Sequence, residues 1–303
     1  MVYGGHAAPM RYGAFFSHPD IGNDPIVIRD WAQAVDGAGF DRVLAAEHVV
    51  GGHPDRAVGH QPIHTNRVPY HEPFVLFGFM AAVTARVELM TSVLVLPQRQ
   101  TALVAKQAAE LDLLSGGRVA LGVGVGRNFM EYEALDQDFS TRGWRLEEQV
   151  EVLRRLWRED YVTYDGRWHH LDRMGLNPVP LQRPIPIWMG SYLGAVVDKV
   201  LRRTARMADG WLPQFPPDDE FAAVADRFWG YVADAGRDRA EVGMDCPITV
   251  TKDDDPASWV RAVERFEALG ATHVRVVTAG GGFRTPQEHL DAALRFLAAV
   301  SSR

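Results

Sequence analysis

TSVLVLPQRQTALVAKQAAELDLLSGGRVALGVGVG, residues 91–126, is the stretch whose reading decides the fold. It holds the end of one strand, a tight exit, a helix, a glycine stop and a second strand. Val87–Leu96 is apolar at nearly every position and rich in β-branched residues, the mark of a strand buried on both faces. Thr101–Leu114 places Leu103, Val104, Ala108, Leu111 and Leu114 at helical spacing, and Ser115-Gly116-Gly117 stops it. Val119–Val125 reads as strand again, with Gly122, Gly124 and Gly126 on alternate positions. Such alternation strips one face of side chains, so a flat or bulky group can approach that backbone closely.

Outward from this unit the same alternation continues. Strands are expected at Arg11–Phe16, Arg42–Ala46, Val87–Leu96, Val119–Val125, Ile185–Gly190, Gly210–Leu212, Val242–Val250 and His273–Val277. Helices are expected at about Pro25–Ala38, Pro73–Ala85, Thr101–Leu114, Trp144–Trp157, Ala195–Met207, Asp219–Asp234, Pro256–Leu269 and Pro286–Val300. Eight strand–helix pairs predict an α/β fold of the (β/α)8 TIM-barrel type, with its site at the C-terminal ends of the strands. A doubly wound open sheet is the alternative, but its glycine fingerprint should open the first βα unit, and none stands there. The whole chain, 1–303, reads as a single barrel domain with two insertions. Residues 51–71, after strand two and rich in Gly, His and Pro, form an expected lid; residues 160–183, before strand five, carry an expected hairpin around Asp165-Gly166.

Composition narrows the partners. A chain of 303 residues with 47% hydrophobic content buries a full core, and its net charge of -7 argues against nucleic acid or an anionic membrane. There is no apolar run of membrane-spanning length and no signal-peptide pattern, and Cys246 is the single cysteine, so a cytoplasmic location is expected. No G-x-S-x-G elbow supports nucleophilic hydrolysis.

Five segments in order carry a resemblance: EHVV at 47–50, EPFVLFGFMAAVTARVEL at 72–89, LDLLSGGRVALGVGVG at 111–126, RPIPIWMGS at 183–191 and ADGWLP at 208–213. Together they resemble the bacterial luciferase-like family of flavin- and deazaflavin-dependent enzymes, in wording closest to its coenzyme F420-dependent oxidoreductases. The likeness runs from about Arg11 to Pro213. It implies a homodimer and hydride transfer between a deazaflavin ring and a small organic substrate. The alternative on the same barrel is an FMN-dependent monooxygenase using reduced flavin and oxygen.

The candidate site residues follow. Glu47-His48 ends strand two, where polar side chains face the site, and histidine titrates near neutral pH. The resemblance implies that His48 stands at the cofactor ring and moves a proton; Glu47 either orients His48 or caps the loop. It also implies a β-bulge with a non-proline cis peptide at Ser92-Val93, backing the ring. Gly124, Val125 and Gly126 are read as clearance for the cofactor, with Arg127 beginning the loop beyond. Flavin-using relatives often carry a phosphate-binding arginine where Val125 stands, which weakens the FMN reading. Gly190-Ser191 and Gly194, between strand five and a helix, fit a phosphate cradle at a helix N-terminus, with Met189 beside the ring. Trp211 is read as a wall of the substrate pocket.

Five of the 11 histidines lie between His48 and His71, at spacings of 5, 7, 4 and 7. With no cysteine or paired carboxylate beside them they read as solvated lid histidines, and no metal is expected. Finally, Pro73–Ala85 carries Phe74, Leu76, Phe77, Phe79 and Met80, more apolar surface than one barrel-facing stripe needs, which suits the implied dimer.

Overall fold

The computed structural model describes residues 9–56, 64–191 and 197–302. Its strands are β1 (Arg11–Phe16), β2 (Arg42–Ala45), β3 (Glu88–Thr91), β4 (Leu94–Val95), β5 (Val119–Gly124), β6 (Val162–Asp165), β7 (His170–Met174), β8 (Ile187–Gly190), β9 (Gly210–Leu212), β10 (Gly243–Thr249) and β11 (His273–Val277). The parallel order β3-β2-β1-β11-β10-β9-β8-β5, closed by pairing of β3 with β5, is an eight-stranded barrel. β6 and β7 pair antiparallel outside it, as the hairpin expected in 160–183.

The helices are α1 (His18–Ile21), α2 (Pro25–Ala38), α3 (Pro73–Val83), α4 (Thr101–Ser115), α5 (Phe129–Ala134), α6 (Arg142–Arg158), α7 (Asp198–Met207), α8 (Asp219–Asp234), α9 (Pro256–Ala268) and α10 (Pro286–Ser301). Four of them begin alike: Asp24-Pro25, Glu72-Pro73, Asp255-Pro256 and Thr285-Pro286 each set a capping oxygen before a proline whose missing N–H costs nothing there. Gly116 ends α4 in the left-handed region, at φ 72°, and Gly117 N–H returns to Asp112 O at 2.7 Å.

Strand parity sorts the residues. Successive side chains alternate between the barrel interior and the helical layer. Leu44, Met90, Ala120, Trp188 and Leu212 form an inner cluster of their own, while Val43, Leu89, Leu121, Met189 and Trp211 belong to the larger core between barrel and helices. Trp188 fills the interior because its neighbours are glycines: a Cβ at Gly210 or Gly243 would come within 2.2 Å of its ring. Below it lies a buried charge network. Arg42 pairs with Glu88 at 2.5 Å and with Asp245 at 3.0 Å, and Arg275 meets Asp245 at 2.9 Å.

Three differences from the expected elements matter. Val87–Leu96 is not one strand: β3 stops at Thr91, the Ser92-Val93 peptide is cis, as the resemblance implied, and β4 resumes at Leu94. Secondly, the loop after β5 contains α5, a short helix that β5's glycines gave no reason to expect. Lastly, most of α3's apolar surplus is spent inside the chain. Phe74, Leu76, Phe77 and Met80 are buried, and the outward remainder is Val75 (73% exposed) and Phe79 (39%). Among the described residues no helix is long and apolar enough to cross a membrane.

Candidate functional site

His48 follows the end of β2 with inward parity and is half-buried at the barrel mouth. Its Nδ1 lies 3.1 Å from Glu131 Oε1 on α5, and the same oxygen accepts the Val49 N–H at 2.7 Å. Burial alone would raise the Glu131 carboxyl, but the hydrogen bond and charge of His48 and the Val49 N–H outweigh it and hold it below the usual carboxylate range. An ionised Glu131 makes Nδ1 the protonated nitrogen of His48, which leaves Nε2 to take up or give a proton. Glu131 is the candidate site residue that the sequence reading missed. The cue was there, a carboxylate five residues beyond Gly126, but only the turn into α5 shows that it reaches back to β2.

Glu47, by contrast, does not orient His48. Adjacent residues of a strand point opposite ways, so Glu47 faces the helices. There it accepts the Val95 N–H at 2.5 Å and pairs with Arg99, which also reaches Glu72 at 2.9 Å. Its work is to fasten β4 and the turn after it to the end of β2.

The same parity corrects two more expectations. Met189 is packed in the outer core, away from the barrel interior. Trp211 is wholly buried against Phe221 and Phe228 of α8, so it walls no substrate space; its indole N–H donates to Ser191 Oγ at 2.7 Å. Val125 also points outward, and its carbonyl accepts the Tyr132 hydroxyl at 2.6 Å. Arg127 is exposed at the start of the loop, and Gly194 lies outside the described residues.

The bare face of β5 exists, but protein occupies it. A Cβ on Gly124 would stand 2.7 Å from Val93 Cγ2, one on Gly126 2.6 Å from Val95 Cγ1, and one on Gly190 2.6 Å from Val93 Cγ1. The glycines therefore make room for the bulge, and Val93, aimed inward beyond the cis peptide, becomes the floor of the mouth. Two buried polar atoms beside it lack a partner among the described residues: Ser92 Oγ and Asn128 Nδ2. Ser92 is held to the end of β2 through its N–H to Ala45 O at 2.6 Å, and Asn128 immediately precedes α5. Unpaired buried donors of this kind are what a bound polar ring would satisfy. Ser191 N–H is engaged with Leu212 O at 3.2 Å and its Oγ accepts the Trp211 indole N–H, so the hydroxyl proton is what Ser191 could present to an anion.

The ends of the loop 51–71 fold back over this mouth. Gly52 bridges to Thr65, and Gly51 is packed so tightly that a Cβ would meet Asn66 N at 2.3 Å. Against the expectation of solvated lid histidines, only some of the loop's histidines are exposed. His53 is exposed, but the His64 ring lies 3.6 Å from that of His48, and Tyr70 meets the edge of His48 at 4.7 Å. His60 lies outside the described residues. His71 N–H donates to His18 Nδ1 at 3.2 Å, which leaves His18 Nε2–H for Ala46 O at 2.9 Å. Burial, with the neighbouring His71, pushes the His18 pKa down to about 4, so it is neutral at physiological pH. Two cavities, of about 420 and 410 Å³, flank the wall made by His48, Val49 and Tyr70.

Comparison with known proteins agrees with this geometry. The family model of luciferase-like monooxygenases matches residues 7–299. An uncharacterized protein of Mycobacterium tuberculosis is 38% identical over 218 residues, 72% of this chain and 69% of that protein. An F420-dependent glucose-6-phosphate dehydrogenase of Gordonia bronchialis is 33% identical over 197 residues, 62% of this chain and 53% of its own length. Among solved structures, an F420-dependent secondary alcohol dehydrogenase in complex with an F420-acetone adduct superposes with a TM-score of 0.75 at 18% identity, covering 97% of this chain and 99% of that one. The long-chain alkane monooxygenase superposes with a TM-score of 0.78 at 13% identity, covering 97% and 92%. At such identities the likeness establishes the shared barrel.

Proposed function

This chain belongs to the luciferase-like monooxygenase family, and we propose that within it the protein is an F420-dependent oxidoreductase acting on a small organic molecule. The observation that carries the reading is the His48–Glu131 pair: a histidine at the barrel mouth, oriented through Nδ1 by a buried carboxylate, with Nε2 left for proton transfer. Coenzyme F420 would supply hydride transfer at its deazaflavin ring. Val93 would lie beneath that ring, with Ser92 Oγ and Asn128 Nδ2 as polar contacts, and Ser191 beside Gly190 would meet the phosphate. His48 would move the proton that accompanies the hydride, and His64 and Tyr70, which stand against it, would help keep water from the substrate.

The glucose-6-phosphate dehydrogenase relatives support F420 over FMN, as does the absence of an arginine at position 125. The FMN-dependent monooxygenase reading stays attached to the structural likeness to an alkane monooxygenase. A binding titration of the purified chain with F420 and with FMN tests the choice. Tight binding of F420 with weak or absent FMN binding is expected; the reverse order would transfer the proposal to oxygen chemistry.

The proposal includes a homodimer. Val75 and Phe79 on α3 lie beside α4, whose Leu103 is 52% exposed, and a second copy would cover this apolar strip. Light scattering that returns the mass of one chain would count against it.

A further inference from the structure

Spacing within the loop 51–71 offers no metal motif, yet the fold gathers ligands from three separate elements. His64 comes from the loop, His48 from the end of β2 and Glu131 from α5. Each brings one ligand atom to within 4.8 Å of the others. Two features of the group go beyond proximity. His64 Nε2 is buried and makes no hydrogen bond of normal geometry among the described residues; the ring's one backbone neighbour there is Val50, whose carbonyl favours a proton on the imidazole. The Glu131 side chain, only 2% exposed, already lies against His48 Nδ1 at 3.1 Å.

We propose that His48, His64 and Glu131 form a binding site for one divalent transition-metal ion of the zinc class. Two imidazoles and one carboxylate make a borderline donor set, suited to Zn²⁺ and Co²⁺ rather than to Mg²⁺ or Ca²⁺, which prefer oxygen ligands alone. With metal–nitrogen bonds of about 2.0–2.1 Å, tetrahedral neighbours stand roughly 3.4 Å apart. His48 and Glu131 already meet that spacing, so the remaining contraction falls on His64, which is carried by a loop. The ion takes the place of the proton between Nδ1 and the carboxylate, and that proton leaves to solvent. Three protein ligands leave a fourth position for water. An occupied site would also withdraw His48 from proton transfer, a consequence that rests on the function proposed above; metal binding itself does not.

Cobalt(II) and zinc titrated into the untagged full chain test the assignment without any activity measurement. The wild type should bind one cobalt ion per chain with the visible absorption of a low-coordinate site, and zinc should abolish that band. Calorimetry should return the same stoichiometry. His64→Ala and the size-matched His64→Gln should each weaken binding by ~10–100-fold or more, since a lost ligand costs at least as much as a lost outer-shell partner. His53→Ala, at the exposed end of the loop, should bind as the wild type does. Absence of the cobalt band in the wild type overturns the site. So does binding by both His64 variants at wild-type strength, which would assign the ion to other histidines.

Discussion

The two ends of the barrel interior solve opposite problems. At the base, Arg42, Glu88, Asp245 and Arg275 place two positive and two negative groups in mutual contact below Trp188, with the Arg42 guanidinium also 4.7 Å from the Trp188 ring centre. At the mouth, Ser92 Oγ, Asn128 Nδ2 and His64 Nε2 are buried without a hydrogen-bond partner among the described residues, which also give one ring nitrogen of His48 none. Burying a charge is tolerable only when it is paired, and the charges of the base are paired with one another, although Arg42 Nε and His273 Nε2 there also lack a hydrogen-bond partner among the described residues. What distinguishes the mouth is that its unpaired atoms are neutral donors and acceptors beside open space, which a bound polar molecule would satisfy. The barrel's stability and its chemistry are thus separable, and substitutions should split them.

The largest effect is expected at the mouth. His48→Ala should lower turnover by ~10²–10⁴-fold, the usual share of positioned acid–base catalysis, while chemical denaturation midpoints stay unchanged. Glu131→Gln should produce a smaller loss together with a displaced pH–rate profile, because the carboxylate fixes the tautomer. Normal turnover by His48→Ala with the true substrate would make His48 structural and remove the mouth's chemical role.

Asp245→Ala is the counterpart at the base. It leaves Arg42 and Arg275 without their shared carboxylate and should cost about 3–5 kcal/mol in urea unfolding. Turnover per folded molecule should hardly change. A loss of activity larger than the loss of folded protein would show that the two ends are coupled after all.

Acid should loosen the mouth through His18. Its folded pKa, about 4, lies below the ordinary 6.5, so the folded state favours the neutral ring. Stability from this group is fully present above pH 6.5 and is lost as pH falls from there to about 4, a total of about 3 kcal/mol. Burial lowers His273 at the base as well, with the guanidinium groups of Arg42 and Arg11 adding to it, so the two slopes overlap. His18→Gln should remove its own share of the slope; an unchanged pH dependence of unfolding would assign the whole effect to His273.

Gly124→Ala should have the smallest effect and sharpens the comparison most finely. Its new methyl would press on Val93 from 2.7 Å, an overpacking that costs about 1–3 kcal/mol and tilts the floor beneath the proposed ring. Weakened cofactor binding with modest destabilisation is expected in paired titration and unfolding measurements. Unchanged binding would remove Val93 from the cofactor's surroundings.

Much of this was legible in the chain's order of residues. The strand–helix alternation, the acid–proline helix starts and the glycine stop of α4 are local, short-range signals, and they locate every barrel strand. His48 was legible because the end of a strand is a topological address. Glu47, Met189 and Trp211 were misjudged together, and for one reason: each sits at an outward position of its strand, which counting by twos from the inward Leu44, Trp188 and Leu212 reveals.

What the sequence determined by itself was therefore which segments extend and which coil, and that neighbours along a strand take opposite faces, since these follow from dihedral preference and periodicity within a few residues; which of the two faces looks into the barrel was fixed only by its closure. What only the tertiary structure decided was who meets whom across the barrel. Glu131 reaches His48 over 83 positions, Asp245 reaches Arg42 over 203, and Val93 fills the space that Gly124 and Gly190 leave open. Such contacts are fixed by barrel closure and by the packing of a dense interior, and no local pattern records them.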